Sequence, residues 1–322
     1  NAAGNAIVVR EVFGRIDTRA ALPGMEAIFD DWQPDLVLRE QTEFASYVVA
    51  ERAGVPHGQV AVGLASFGQQ FMPLVDEPLK ALGFEGGVSR ALSAPMYSLL
   101  PPSFEDPAAP GPPTVRRFRD LGRSMGGGWV TSSQQVPDLP DWWEGASGPL
   151  VYVTFGSVAG GLGLFPDFYA AVAAELADQP VRALLTIGDV GDPSELGPLP
   201  GNVHVEHWWP QHEVMPHAGA VIGHGGLGTT LLALAGGVPQ VVVPLFADQP
   251  ENARRVAAIG AGLALEGGRS AIADIGPALE RVLREDSYRA GAQRIAAEIA
   301  SLPPASESVP DLEQLAHRRY GG

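Results

Sequence analysis

The residues with the clearest capacity for chemistry lie between Trp208 and Asn252. At their centre is Ala220-Val221-Ile222-Gly223-His224-Gly225-Gly226-Leu227-Gly228-Thr229-Thr230. An apolar strand runs into a glycine-rich turn and then into a helix. Glycines let a ligand approach the backbone, and a helix start offers unpaired N–H groups with a partial positive charge. That pattern suits a diphosphate. His224 can donate a hydrogen bond to the same anion, and Thr229 adds a hydroxyl. A tight structural turn would use the same glycines, so the turn alone decides nothing. It lacks the Gly-Lys-Ser/Thr of a Walker loop and the Gly-x-Gly-x-x-Gly of a dinucleotide fingerprint.

Three weaker signals flank it. Gly156 and Ser157 follow the strand Leu150–Phe155 and could reach the same phosphates, although a flexible glycine loop reads alike. Trp208-Trp209-Pro210-Gln211 follows the short strand Val203–Val205. A Trp at a strand end can stack a flat base, and the second Trp of the pair is expected to plug an interface. Asp248 and Gln249 set a carboxylate beside a carboxamide, a pair able to hold adjacent sugar hydroxyls. Asp248 would equally serve as N-cap of the helix starting at Pro250.

The elements that must position these residues alternate regularly. Strands are expected at 150–155, 183–187, 203–205, 220–222 and 240–243, with helices at 167–178, 226–235, 250–259 and two more across 274–300. Val241-Val242-Val243 is apolar on both faces, as in a sheet covered on both sides. Upstream, helices are expected at 6–16 and 20–32, broken near Leu22-Pro23-Gly24. Strand 35–38, helix 43–53 and strand 59–62 make a βαβ unit. A strand at 96–100 precedes a surface loop at 105–114, and a last helix falls near 311–319. The expected organisation is an N-terminal α/β domain (1–130), a linker (131–147) with Trp142-Trp143, a donor-binding α/β domain (148–303), and a C-terminal helix (304–322) returning to the first domain. Two open parallel sheets of this kind would face each other across a cleft, with ligands at the carboxyl ends of their strands.

Composition agrees with an enzyme of small ligands. The net charge of −16 argues against a nucleic-acid surface. The chain has no cysteine, which excludes disulfides and thiolate metal sites. No apolar run is long enough for a membrane span, and a cytoplasmic location is expected. Pairing of two copies is carried as a further expectation.

Taken together, Phe-Gly-Ser, Trp-x-Pro-Gln, His-Gly-Gly-x-Gly-Thr-Thr and Asp-Gln-x-x-Asn-Ala, in that order, resemble the C-terminal domain of the family 1 glycosyltransferases of GT-B fold. The run Val238-Pro239-Gln240 to Val256 is most similar to the actinobacterial enzymes that decorate natural products. The resemblance spans 148–300, with a further match across 34–62. It implies that Trp208 stacks a pyrimidine. Gly156, Ser157, His224, Gly225, Gly226, Gly228 and Thr229 would line the diphosphate, with Gln211 beside them. Asp248 and Gln249 would hold the donor sugar. It also implies inversion at the anomeric carbon, no metal or other cofactor, and a small hydrophobic acceptor. Phe67, Phe71, Met72, Phe84, Met96 and Tyr97 are candidates to line the acceptor pocket or to form core.

The sequence departs from the family in two places. Plant members carry a Glu eight residues after the motif His, where it binds both ribose hydroxyls; here Leu232 stands there. A leucine would leave a 2′-hydroxyl unsatisfied, so the expected donor is a dTDP-deoxysugar, or dTDP and UDP donors are both accepted. The family's catalytic His sits in a Gly-His-x-x-Pro-like loop, and no such loop occurs. His57 stands between a Pro and a strand, the wrong context. The expectation is that the sequence starts inside its N-terminal domain. Glu40, just after Pro34-Asp35-Leu36-Val37, holds the place of the acidic residue that orients the missing His, although a surface Glu at a helix start reads the same. Two other readings remain at this point: a nucleotide-sugar 2-epimerase of the same architecture, and an inactive nucleotide-binding auxiliary protein.

Overall fold

Alternate side chains of a strand face opposite sides of its sheet, and β5 (Leu150–Thr154) shows what this demands of an apolar run. Val151 and Val153 enter one core with Phe168, Val172, Ile275 and Leu279. Leu150 and Tyr152 enter another with Trp143, Leu184, Leu232 and Ala233. All five residues are buried. The computed structural model describes residues 2–120, 138–143 and 145–318. It divides into one unit of Asn1–Arg119 with Leu302–Gly322 and a second of Asp120–Ser301. The glycine triplet Gly126-Gly127-Gly128 and residues 131–137 of the expected linker fall outside the described residues.

In the second unit β5 is joined by β6 (Arg182–Thr186), β7 (Val203–Glu206), β8 (Ala218–Gly223), β9 (Gln240–Val242) and β10 (Gly262–Ala264). The order is β10-β9-β8-β5-β6-β7, and every pairing is parallel. The chain winds outward from β5 through β6 to β7, then restarts at β8 and winds the other way. This is the doubly wound Rossmann order, and its crevice lies where the direction reverses. β5 and β8 are neighbours there, so Gly156 and His224 leave adjacent strand ends. β10 carries little apolar signal and was not expected as a strand. A Cβ at Gly262 would lie 2.0 Å from the Gln240 carbonyl oxygen, so only glycine lets β10 lie against β9.

The first unit holds four parallel strands in the order β1 (Val37–Glu40), β2 (His57–Val60), β3 (Met96–Ser98) and β4 (Val115–Arg117). β4 was also not expected, because two of its three residues are arginines that hide any apolar pattern. The expected break near Pro23 is absent. The chain is helical from Ala2 to Trp32, with a π-helical stretch at Val8–Asp17 and Pro23 inside the helix Thr18–Trp32. Pro23 removes one N–H from the ladder, but buried Leu22 and Phe29 anchor the helix on both sides of it. Residues 302–322 belong to this unit. The Arg119 N–H donates to Pro303 and the Ala305 N–H to Arg119, at 2.8 and 2.9 Å. The helix Val309–Ala316 follows, and Asp311 pairs with Arg116. Phe71, Met72, Phe84, Met96 and Tyr97 are all buried, and Phe67 packs against the same core. These aromatic and sulfur side chains are core residues. Among the described residues no helix is long and apolar enough to cross a membrane.

Candidate functional site

The carboxyl ends of β5, β6, β7 and β8 open into a cavity of about 430 Å³. Of the residues singled out from sequence, Gly156, Ser157, Trp208, Gln211, His224, Gly226, Gly228, Thr229 and Gln249 line it. Leu232 lines it as well.

His224 follows β8 and is held between two glycines. A Cβ on Gly156 would lie 2.9 Å from the imidazole Nε2, and one on Gly226 only 2.4 Å from it. The turn needs glycine at these two places because the ring fills the space. Burial pushes the His224 pKa down to about 4, against a small opposing effect from the Thr154 backbone. Its Nδ1 is buried with no hydrogen-bond partner among the described residues. The ring is therefore neutral at pH 7 and can act as a hydrogen-bond donor to an anion. The helix Leu227–Ala235 starts beside it. Its ladder begins with the Thr230 N–H donating to Gly226, so the N–H groups of residues 227–229 have no helical carbonyl to meet.

Trp208 is 63% exposed and stands at the cavity. Its neighbour Trp209 instead packs edge-to-face on Trp142, ring centroids 4.8 Å apart. The tryptophan pair thus splits into one free indole and one plug. The Gln211 Nε2 donates to the Thr229 hydroxyl at 3.2 Å, while its buried Oε1 has no partner among the described residues.

Gly225 and Asp248 are not among the lining residues. Gly225 has φ +84°, and a Cβ there would lie 2.8 Å from Val242 Cγ1. Its carbonyl accepts from the Asn252 amide. Its role is to pack the turn onto β9 and the following helix. The Asp248 carboxylate also accepts from Asn252, at 2.9 Å. Asp248 occupies the N-cap position of the helix Gln249–Ala258 without a side-chain cap bond. The Gln249 Oε1 accepts from the Leu245 and Phe246 N–H groups at 2.9 and 3.0 Å. The carboxamide oxygen thus shapes the loop, and its NH2 is the end left for a ligand. Sequence reasoning treated both side chains as open to sugar hydroxyls, because a motif does not reveal local hydrogen bonds.

Part of the cavity lining was missed. Tyr152 and Thr154 share one face of β5 with Gly156, so their two-residue spacing carried the signal. The Tyr152 hydroxyl meets the Thr186 hydroxyl at 3.2 Å, and burial raises the phenol pKa. Tyr152, Thr154 and Thr186 add polar side chains to a lining that also holds the apolar Leu232 and Phe246.

In the first unit, Glu40 ends β1 and its carboxylate accepts from the Thr42 N–H at 2.8 Å. His57 is buried, with its Nε2 2.9 Å from the Glu51 carboxylate. Burial lowers its pKa. It braces a core and is remote in kind from a solvent-facing base.

Two parallel α/β units, the second with an indole, an imidazole and a helix start at its switch point, place the protein among the GT-B glycosyltransferases. The chain belongs to the erythromycin biosynthesis protein CIII-like family, whose C-terminal domain description matches residues 171–315 and whose N-terminal domain description matches 3–85. It is 33% identical to L-demethylnoviosyl transferase of Streptomyces niveus, over 88% of this chain and 72% of that protein. It is 30% identical to 4'-demethylrebeccamycin synthase of Lentzea aerocolonigenes, over 90% of this chain and 76% of the other. Among solved structures, the glycosyltransferase SnogD of Streptomyces nogalater superposes with a TM-score of 0.73 at 27% identity, covering 98% of this chain and 84% of that one. The glycosyltransferase VinC, solved with dTDP, gives 0.73 at 26% identity, covering 97% and 81%.

Proposed function

We propose that this glycosyltransferase moves a sugar from a dTDP-linked donor to a hydroxyl of a small apolar natural product, with inversion and without a metal. The observation that carries the reading is the make-up of one cavity. It sets an exposed indole, a neutral imidazole, a helix start and an apolar side chain around a single space. Trp208 would stack the pyrimidine. His224, Gly226, Gly228, Thr229 and Ser157 would hold the diphosphate through N–H and O–H donors. Leu232 supports a donor without a ribose 2′-hydroxyl, because a hydroxyl facing it would lose its hydrogen bond. The dTDP bound to VinC and the thymidine diphosphate bound to the 27% identical SsfS6 point the same way.

In this mechanism the acceptor oxygen attacks the anomeric carbon from the face opposite the diphosphate. Charge growing on the leaving phosphate is met by donors already in place, which is where such sites gain most of their rate. A negative ligand beside His224 would also raise its pKa, since an opposite charge favours the protonated ring. Glu40 is assigned to orient a His base for the acceptor. The Thr42 N–H already holds its carboxylate in one place.

Calorimetry with dTDP and UDP tests the donor, each with and without EDTA. Tighter binding of dTDP, unchanged by EDTA, is expected; a strong preference for UDP sinks the donor assignment. Mass spectrometry of donor with and without an acceptor panel tests the reaction. Conversion of the sugar with no acceptor present would instead mean epimerisation. His224→Ala should abolish both donor binding and transfer while leaving the fold intact.

A further inference from the structure

The base-stacking role given to Trp208 leaves a physical question, since a 63% exposed indole needs something to hold it. On its N-terminal side the backbone is pinned: the Gly188 N–H donates to the His207 carbonyl at 2.7 Å. On its C-terminal side is Trp209, whose buried Nε1 has no hydrogen-bond partner among the described residues. Trp209 is therefore oriented by packing rather than by a polar anchor. Its partner is Trp142, edge-to-face at 4.8 Å and 89°.

Trp142 is itself well seated. Its ring stacks on His204 of β7 at 4.3 Å and 6° from parallel. It also meets Trp143 edge-to-face at 5.4 Å. Trp143 is buried, and its Nε1 donates to the Ala183 carbonyl of β6 at 3.1 Å. A segment preceding β5 thus grips the sheet edge and presents one ring to the residue beside Trp208. Trp142 does not line the cavity.

We infer that Trp142 is a positioning residue for the nucleobase platform, acting on Trp208 through its contact with Trp209. The inference rests on the donor reading above and adds a determinant outside the cavity. Loss of a packed aromatic pair releases a loop that base stacking must then reorder, so the penalty falls on ligands that carry a base.

The test measures dTDP and inorganic pyrophosphate affinity for the full chain, Trp142→Ala, Trp208→Ala and the double variant. Trp142→Ala should weaken dTDP about tenfold and leave pyrophosphate unchanged. The double variant should bind dTDP no more weakly than Trp208→Ala alone, because both act on one interaction. Trp142→Phe should recover most of the loss, and the donor KM should rise with kcat at saturating donor retained. Trp142→Leu fills the space without an edge-to-face partner, and it carries the same test where alanine unfolds the protein. Additive losses, or equal weakening of pyrophosphate, overturn the inference. A loss in Trp208→Ala with none in Trp142→Ala overturns it alone. Unchanged dTDP affinity in Trp208→Ala overturns the donor reading as well.

Discussion

The two units share one kind of architecture, a parallel sheet wrapped by helices, yet they treat their strand ends in opposite ways. In the first unit the turn after β1 satisfies itself. Arg39 donates to the Glu40 and Glu43 carbonyls, Glu40 accepts from Thr42, and the Gln41 Oε1 accepts from the Val62 N–H. Nearby, buried Glu105 accepts from the Ala65 N–H and pairs with Arg117 at 3.1 Å. In the second unit the strand ends leave the Gln211 Oε1 and His224 Nδ1 buried without partners among the described residues, around an open cavity. Among the described residues the Gln59 Oε1 and the Arg39 Nε and Nη2 are also without partners, but that guanidinium lies over the rings of Phe44 and Tyr47. Unfinished hydrogen bonding beside a cavity marks a place for a ligand, whereas the same atoms under aromatic faces belong to scaffold.

That contrast can be broken by substitution. The largest effect is expected in the scaffold. Glu105→Ala leaves the Ala65 N–H without its acceptor and Arg117 with the Leu100 carbonyl but no carboxylate, and should lower stability by about 3 kcal/mol. Urea unfolding would measure this, and dTDP affinity should stay as it was. A matching loss of dTDP affinity would mean that the first unit's turns support the cavity directly. Next comes Gly226→Ala, whose new Cβ must push the His224 ring aside. Nucleotide affinity and transfer should fall roughly 100-fold, as for loss of one key donor, with little change in the unfolding midpoint. Retained affinity would show that His224 does not serve the diphosphate.

The smallest effect is a pH dependence. His224 titrates near 4 in the folded protein and near 6.5 when unfolded. Between those values the unfolded chain holds a proton that the folded chain does not. Stability from this residue is therefore full above about pH 6.5 and falls as the pH drops toward 4. Between pH 7.5 and 5.5 the loss should be about 1 kcal/mol, after allowance for the ring's partial exposure. His224→Asn should remove that share of the pH dependence. Identical pH profiles for the two proteins would show that burial does not control the ring's charge.

Much of the site was legible in the sequence because its signals are local. A strand, a glycine turn and a helix start lie within the eleven residues Ala220–Thr230, so chain geometry alone brings His224 to a helix terminus. The sequence also carried the α/β alternation, through apolar runs such as Val241-Val242-Val243. It did not show β4 and β10, which are short edge strands with too few apolar side chains to make a period. It placed a break at Pro23, where tertiary anchoring by Leu22 and Phe29 overrides local propensity.

What the sequence determined by itself was the class of chemistry, since motif order and composition are covalent facts. Tertiary structure decided which members of each motif line the cavity. Trp208 and Trp209 are equivalent as letters, yet Trp209 packs on the Trp142 ring while Trp208 stands exposed at the cavity. Gly225 and Gly226 are adjacent, yet one packs on Val242 and the other makes room for His224. Asp248 and Gln249 are adjacent, yet the Asp248 carboxylate accepts from Asn252 while the Gln249 carboxamide oxygen accepts from the 245–246 backbone. The physical reason is common to all three pairs: a side chain's partners are set by what packs against it from distant parts of the chain, and no local pattern encodes those contacts.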